Sequence, residues 1–189
     1  LVSEANATVT VNGTAVTSGS ASGSIPLSVG ANTITTVVTA EDGTTQQTYT
    51  TEVTRAASSD ADLTGLALSS GTLSPTFDAS TTSYTASVAN AVSSITVTPT
   101  VSEANATITV NGSAVTSGSA SGAIALSVGS NTITTVVTAQ DGTTQQTYTT
   151  EVTRAQSSDA SLEYLSMNAY GSLGYSNAVT SYSLDVVYE

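Results

Sequence analysis

Residues 101–155 read VSEANATITVNGSAVTSGSASGAIALSVGSNTITTVVTAQDGTTQQTYTTEVTRA. Apolar residues alternate with Ser and Thr along this stretch: Ile108 and Val110, then Ile124, Leu126 and Val128, then Ile133 and Val137, then Tyr148 and Val152. A period of two places each set on one face of a β-strand. Thr, branched at Cβ, suits the half-exposed face of a pleated strand. Asn111-Gly112 and Asp141-Gly142 accept positive φ and suit two-residue hairpin loops. The pattern predicts a longest hairpin from Asn131 through Asp141-Gly142 to Arg154. A Gly-Ser-rich turn from Ser117 to Gly122 joins the shorter strands.

The same text occurs earlier. Leu1 to Ala56 matches Thr100 to Ala155 at an offset of 99, with seven differences: Leu1/Thr100, Val9/Ile108, Thr14/Ser113, Ser24/Ala123, Pro26/Ala125, Ala31/Ser130 and Glu41/Gln140. The phrase SSDA recurs at Ser58 and Ser157, again 99 apart, after which the copies diverge. A period of this size suits a globular bead of about 100 residues, not a solenoid rung. The frame that follows has 1–56 as the C-terminal part of one module, 57–155 as a complete module and 156–189 as the N-terminal part of a divergent third.

Upstream of the opening stretch, Leu66 and Leu68, then Tyr84, Ala86 and Val88, then Ile95 and Val97 continue the alternation. The complete module therefore carries about seven short strands with turn signals between them. No segment shows a helical stripe. Two packed antiparallel sheets are the simplest closed arrangement. Ala61-Asp62-Leu63, LSSGTLSP at Leu68 to Pro75, TSYTASV at Thr82 to Val88 and the AxDGTTxxTYT pattern at Ala139 to Thr149 resemble the bacterial cadherin-like β-sandwich domain family. The resemblance implies an all-β fold of tandem Ig-like, cadherin-like sandwiches. It also implies a spacer or adhesive role in a large surface or secreted bacterial protein, with no particular ligand. The third segment keeps Leu162, Leu165, Leu173 and Tyr182 of that pattern.

Composition narrows the function further. The 189 residues include only two basic ones and fourteen acidic ones, for a net charge of -12. That charge repels nucleic-acid phosphates and anionic membrane surfaces. No apolar run approaches the roughly 20 residues that span a bilayer. No secretory leader is visible, and Leu1 is not an initiator Met, so the chain reads as a piece of a longer polypeptide. It has no Cys for disulfides or thiolate metal sites, and no Lys for isopeptide cross-links. With no Trp and one Phe, the cores must rely on Val, Ile, Leu, Ala and Tyr.

Without His, Cys or Lys, most nucleophile and general-base arrangements are missing, and the carboxylates are scattered and repeated from copy to copy. The expectation is a protein that is not an enzyme and holds no cofactor. Calcium is the one ion considered: Asp60 and Asp62 sit at one junction between modules, Asp159 and Glu163 near the next. Those few carboxylates fall short of the roughly six to eight oxygens a calcium ion takes. Arg55 and Arg154 close the last strand of each copy, five residues before Asp60 and Asp159. A guanidinium fork there suits an interdomain contact with a carboxylate or with linker carbonyls. Asn6, Asn12, Asn105 and Asn111 lie in glycosylation sequons, but Asn12 and Asn111 read as turn residues. Tyr164, Tyr170, Tyr175, Tyr182 and Tyr188 crowd the last segment. Tyr170 and Tyr175, beside glycines, are the contact candidates for a carbohydrate or other surface ligand.

The expected function is structural: a repeat segment of an extracellular or cell-surface fibre, stalk or matrix protein, whose partners are neighbouring copies or other surface proteins. Partial modules at the two ends suggest strand addition between subunits, giving a filament. The alternative is an adhesin repeat that binds carbohydrate or another surface ligand.

Overall fold

The computed structural model describes residues 2–161 and 179–181. Among them are thirteen strands and no helix. β1 (Thr8–Val11), β2 (Thr14–Val16), β3 (Gly30–Thr39) and β4 (Gln46–Arg55) form an antiparallel sheet in the order β2-β1-β3-β4. Then follow β5 (Leu63–Leu68), β6 (Ser83–Val88), β7 (Ser94–Ile95), β8 (Val97–Val101), β9 (Thr107–Val110), β10 (Ser113–Val115), β11 (Ile124–Ala125), β12 (Gly129–Thr138) and β13 (Gln145–Arg154).

These nine strands enclose one core. Five make the sheet β10-β9-β12-β13-β6, in which β6 runs parallel to β13. Two short antiparallel ladders, β5-β8 and β7-β11, supply the other side of the sandwich. Ile108, Val110, Ile133, Val137, Tyr148 and Val152 from the large sheet meet Leu63, Leu66, Ile95, Val97 and Leu126 from the ladders. Burial of these small apolar side chains, at about 25 cal/mol per Å² removed from water, is the main force holding the layers together. The all-β sandwich expected from the alternation is the fold observed.

Three details depart from simple alternation. In β5 the buried residues are Leu63 and Leu66, three apart, because a bulge between Leu63 and Gly65 inserts one residue and reverses the parity. Leu68 is only half buried. Val128 is 48% exposed, since β11 ends at Ala125 and the chain turns through Gly129 at a φ of 94°. Thr135, Thr150 and Pro99 follow the alternation, each two residues from an inward apolar neighbour, and are buried with the apolar set. No buried side-chain polar atom among the described residues lacks a hydrogen-bond partner. The nine strands exceed the seven or so expected, the additional β7 and β11 being two residues each.

The turns divide in the same way. Asn111 at φ 47° and Gly112 at φ 80° close the β9-β10 hairpin in two residues, as their identities predict. The β12-β13 hairpin does not turn in two. Ala139 N–H donates to Thr144 O at 2.9 Å, leaving residues 140–143 as the loop. Asp141 stabilises this wider turn, because its carboxylate accepts from the amides of Thr143 and Thr144, both at 2.8 Å.

Candidate functional site

Three regions hold the residues singled out from sequence. The first is the end of the sandwich where β13 finishes. The guanidinium of Arg154 donates from Nε and Nη2 to Asn90 O, at 2.9 and 2.7 Å, and from Nη1 to Leu126 O at 2.9 Å. Asn90 returns a bond from Nδ2 to Ala155 O at 3.0 Å, and Ala155 N–H donates to Val88 O at 3.0 Å. A planar fork with several donors is the group that can gather two carbonyls at once. Arg154 thereby ties the end of β13 to the turn after β6 and to the segment after β11. The expected carboxylate partner is engaged elsewhere: Asp159 accepts from Ser161 N–H at 2.8 Å. Arg55, the counterpart in the first copy, is exposed and makes one bond, to Leu27 O at 3.0 Å.

The second region is the junction after Arg55. Asp60 accepts from Asp62 N–H at 2.9 Å, and this bond, with one from the Ser102 hydroxyl, holds its carboxyl below the usual value. Asp159 is likewise lowered by its bonds to Ser161. Apart from the Ser102 bond, these are short-range turn contacts. Among the described residues no three His, Cys, Asp or Glu side chains gather where a metal ion could be held. Glu163 lies outside the described residues. The junction is bridged by a residue the sequence reading passed over: Gln140 Oε1 accepts from Ser58 N–H at 3.0 Å, and Asp141 N–H donates to Ser58 O at 3.0 Å. Position 140 is one of the seven that differ between copies, and Glu41 in its place in the first copy accepts from Asn6 Nδ2 at 3.1 Å.

Asp141 also accepts from Thr144 Oγ1 at 2.6 Å, and its bonds to Thr144 and Thr143 draw its pKa down to about 2. A depressed carboxyl contributes stability that is complete above its unfolded pKa, near 3.8, and is lost as pH falls through the folded value. Carboxyl NMR titration should therefore give a midpoint near 2 for Asp141. The amides of Thr143 and Thr144 should lose protection over the same acid range. A midpoint at the ordinary value would refute the turn as described.

The third region is the inner face of β1–β4. Every core position of the β9–β13 sheet has an equivalent there, and none is closed. Tyr148 is 0% exposed and Tyr49 is 57% exposed. Val9, Val11, Ile34, Val38 and Val53 are half buried where Ile108, Val110, Ile133, Val137 and Val152 are buried. A depression of about 550 Å³ lies on this face, lined by Val2, Val9, Thr36, Val38, Ala40 and Tyr49. Two smaller depressions lie farther along the same strands, around Val11, Val16 and Ile25. Tyr170 and Tyr175, the expected ligand contacts, lie outside the described residues, as do Tyr164, Tyr182 and Tyr188. Among the described residues no helix is long and apolar enough to cross a membrane.

The family model described as the cadherin-like beta sandwich domain matches residues 2–56 and 63–155. A protein of Evansella cellulosilytica named "Putative membrane protein" is 42% identical over 98 residues, which make up 52% of this chain. The match spans only 15% of the length of that relative. Among solved structures, a chimeric titin Z1Z2-Z1Z2 tandem functionalised with a GRGDS exogenous peptide from fibronectin aligns at 13% identity and a TM-score of 0.26, covering 79% of this chain and 84% of that one. The CbhA fibronectin(III)-like modules of Clostridium thermocellum align at 15% identity and a TM-score of 0.23, covering 88% and 84%.

Proposed function

The chain belongs to the cadherin-like β-sandwich domain family, and from this we propose that it is a structural repeat segment of an extracellular or cell-surface fibre, stalk or matrix protein in a bacterium. On this reading it has no catalytic role, and its partners are other copies or neighbouring surface proteins. Strand addition between copies, expected from the sequence, belongs to the same reading.

One observation carries the proposal: the parallel pairing of β6 with β13. Six residues, Ser83 to Val88, lie in register with Thr149 to Arg154. Tension on a string of modules enters 57–155 at its two ends. It loads β13 directly and, once β5 has parted from its ladder with β8, pulls β6 toward its own start and β13 toward its own end. In parallel strands these directions oppose, so the ladder is loaded in shear, and its hydrogen bonds must fail together instead of unzipping singly. Ser74 also exchanges two 2.8 Å backbone bonds with Thr85, holding β6 from its other side. A stalk or fibre element needs this resistance, and a freely diffusing binding module does not.

Single-molecule stretching tests the reading. Forced unfolding reports the unfolding barrier. Residues 63–155 should open in one abrupt step releasing about 300 Å of chain. Thr149 N–H donates to Thr82 O at 2.8 Å. Thr149→Pro removes that donor and should markedly lower the force of the step, while Thr50→Pro in the first copy should leave it unchanged. Gradual extension without a step would overturn the proposal.

A further inference from the structure

We propose that Asn111-Gly112 is a deamidation site that the fold holds shut. The pair converts only when β9 leaves β12, and the conversion leaves a permanent chemical mark of that opening in the chain.

The reaction needs no partner but water. In an unstructured Asn-Gly pair the glycine amide nitrogen, unhindered because the residue has no Cβ, attacks the Asn Cγ. The attacking nitrogen gives up its proton, the side-chain nitrogen leaves as ammonia, and a five-membered cyclic imide remains. Water then opens the ring at one carbonyl or the other, giving aspartate or isoaspartate. No oxidant or reductant takes part. The chain has two such pairs, Asn12-Gly13 and Asn111-Gly112.

The folded turn opposes ring closure in its backbone and in its side chain. Asn111 at φ 47° and Gly112 at φ 80° make a two-residue turn with both angles positive. That is the type I′ turn, in which ψ of the first residue is about +30°. Such a ψ puts the Gly112 nitrogen on the far side of the Cα–C bond from Cβ, out of reach of Cγ. The side chain is also tied down. Asn111 Oδ1 accepts from Thr134 N–H at 2.9 Å, while Asn111 N–H donates to Thr134 O at 2.8 Å. These two bonds continue the β9-β12 ladder one residue past the pairing of Val110 with Thr135, with a side-chain oxygen standing in for a backbone carbonyl. Asn12 repeats the arrangement at φ 47°, bonded to Thr35 N–H at 2.9 Å and to Thr35 O at 2.8 Å.

Ring closure must therefore break the Oδ1 bond and rotate ψ, and both require the turn to come off β12. The core holds it there: Ile108 and Val110 of β9 are each 3% exposed. The rate of conversion then follows the fraction of time that β9 is open. The two products differ in what they leave. Aspartate at 111 keeps an oxygen for Thr134 N–H and returns to the turn. Isoaspartate routes the main chain through the former side chain, adds one backbone atom and no longer fits a two-residue turn.

Incubation of the full chain at neutral pH, then cleavage after glutamate and mass spectrometry, tests this. Cuts after Glu103 and Glu151 isolate 104–151, in which Asn111-Gly112 is the single Asn-Gly pair. In denaturing urea Asn111 should convert as fast as in a synthetic peptide of residues 107–116 kept in the same urea. Part of the product should be isoaspartate, read by isoaspartate-specific methylation. In the folded chain conversion should be at least about tenfold slower, since it waits on opening. Ile108→Ala loosens β9 from the core and should speed conversion about tenfold or more over folded wild type. If that variant unfolds outright, its rate should rise to the rate in urea. No conversion in urea, equal rates in folded and denatured wild type, or an Ile108→Ala rate no faster than wild type would each overturn the proposal.

Discussion

Tyr148→Ala should cost residues 57–155 about 3–5 kcal/mol, and Tyr49→Ala should leave the melting of the dilute monomer almost unchanged. The two tyrosines occupy equivalent positions in near-identical text, 99 residues apart. Tyr148 is fully buried, and its hydroxyl accepts from Leu63 N–H at 3.0 Å and lies 3.3 Å from Ala79 O. The ring fills the core, and the hydroxyl satisfies the backbone where β5 begins. Removing both leaves a cavity and an unpaired buried amide. For a module of this size the loss corresponds to a fall in Tm of about 15 °C or more. Tyr148→Phe isolates the hydroxyl and should cost about 1–3 kcal/mol. Burial also raises the pKa of Tyr148 above 10.0, so the stabilisation of its neutral form is complete below that pH and lost as pH rises through the folded value. Equal effects at positions 49 and 148 would contradict the open face of β1–β4.

Arg154→Ala should destabilise the same module by about 2–3 kcal/mol, whereas Arg55→Ala should fall within about 0.5 kcal/mol of wild type. Arg154 makes three charge-assisted bonds to two carbonyls, Asn90 O and Leu126 O. Its removal frees the turn at Asn90 from the end of β13, next to the β6-β13 ladder. Arg154→Lys should restore only part of the loss, since an ammonium cannot span both carbonyls in the fork geometry. Thermal melts of the three variants check this directly. Higher amide exchange at Ala155 and Val88 in Arg154→Ala would locate the loosening, and unchanged exchange there would refute the clasp. Arg55 makes its one bond at an exposed site, where such contacts contribute little.

Much of the fold was legible because alternation and turn chemistry are local properties. Ile108, Val110, Ile133, Val137, Tyr148 and Val152 sit in the core as period two requires, and Asn111-Gly112 turns its hairpin as its φ preferences require. The misreadings arose where a non-local term outweighed the pattern. The bulge between Leu63 and Gly65 changes which leucines face inward, and it depends on pairing with β8, 30-odd residues away. Asp141 widened a loop that Asp-Gly alone would close in two residues, because its carboxylate supplied two amide partners. Thr135 and Thr150, by contrast, are buried as the alternation itself requires, each two residues from an inward apolar neighbour. The site residues were harder to read. Arg154 was visible as a lone cation, but its carbonyl partners lie 28 and 64 residues away in sequence.

By itself, the sequence determined that this chain is all-β, with one long stretch of text repeated at an offset of 99, two basic residues against fourteen acidic ones, and no His, Cys or Lys for common catalysis. Side-chain type and spacing are sufficient for such conclusions, because they act within a strand or a turn. Only the tertiary structure decided which of two near-identical sheets is closed. The same residues are buried in one and bare in the other, because burial belongs to whatever packs across from a strand and not to the strand's own residues.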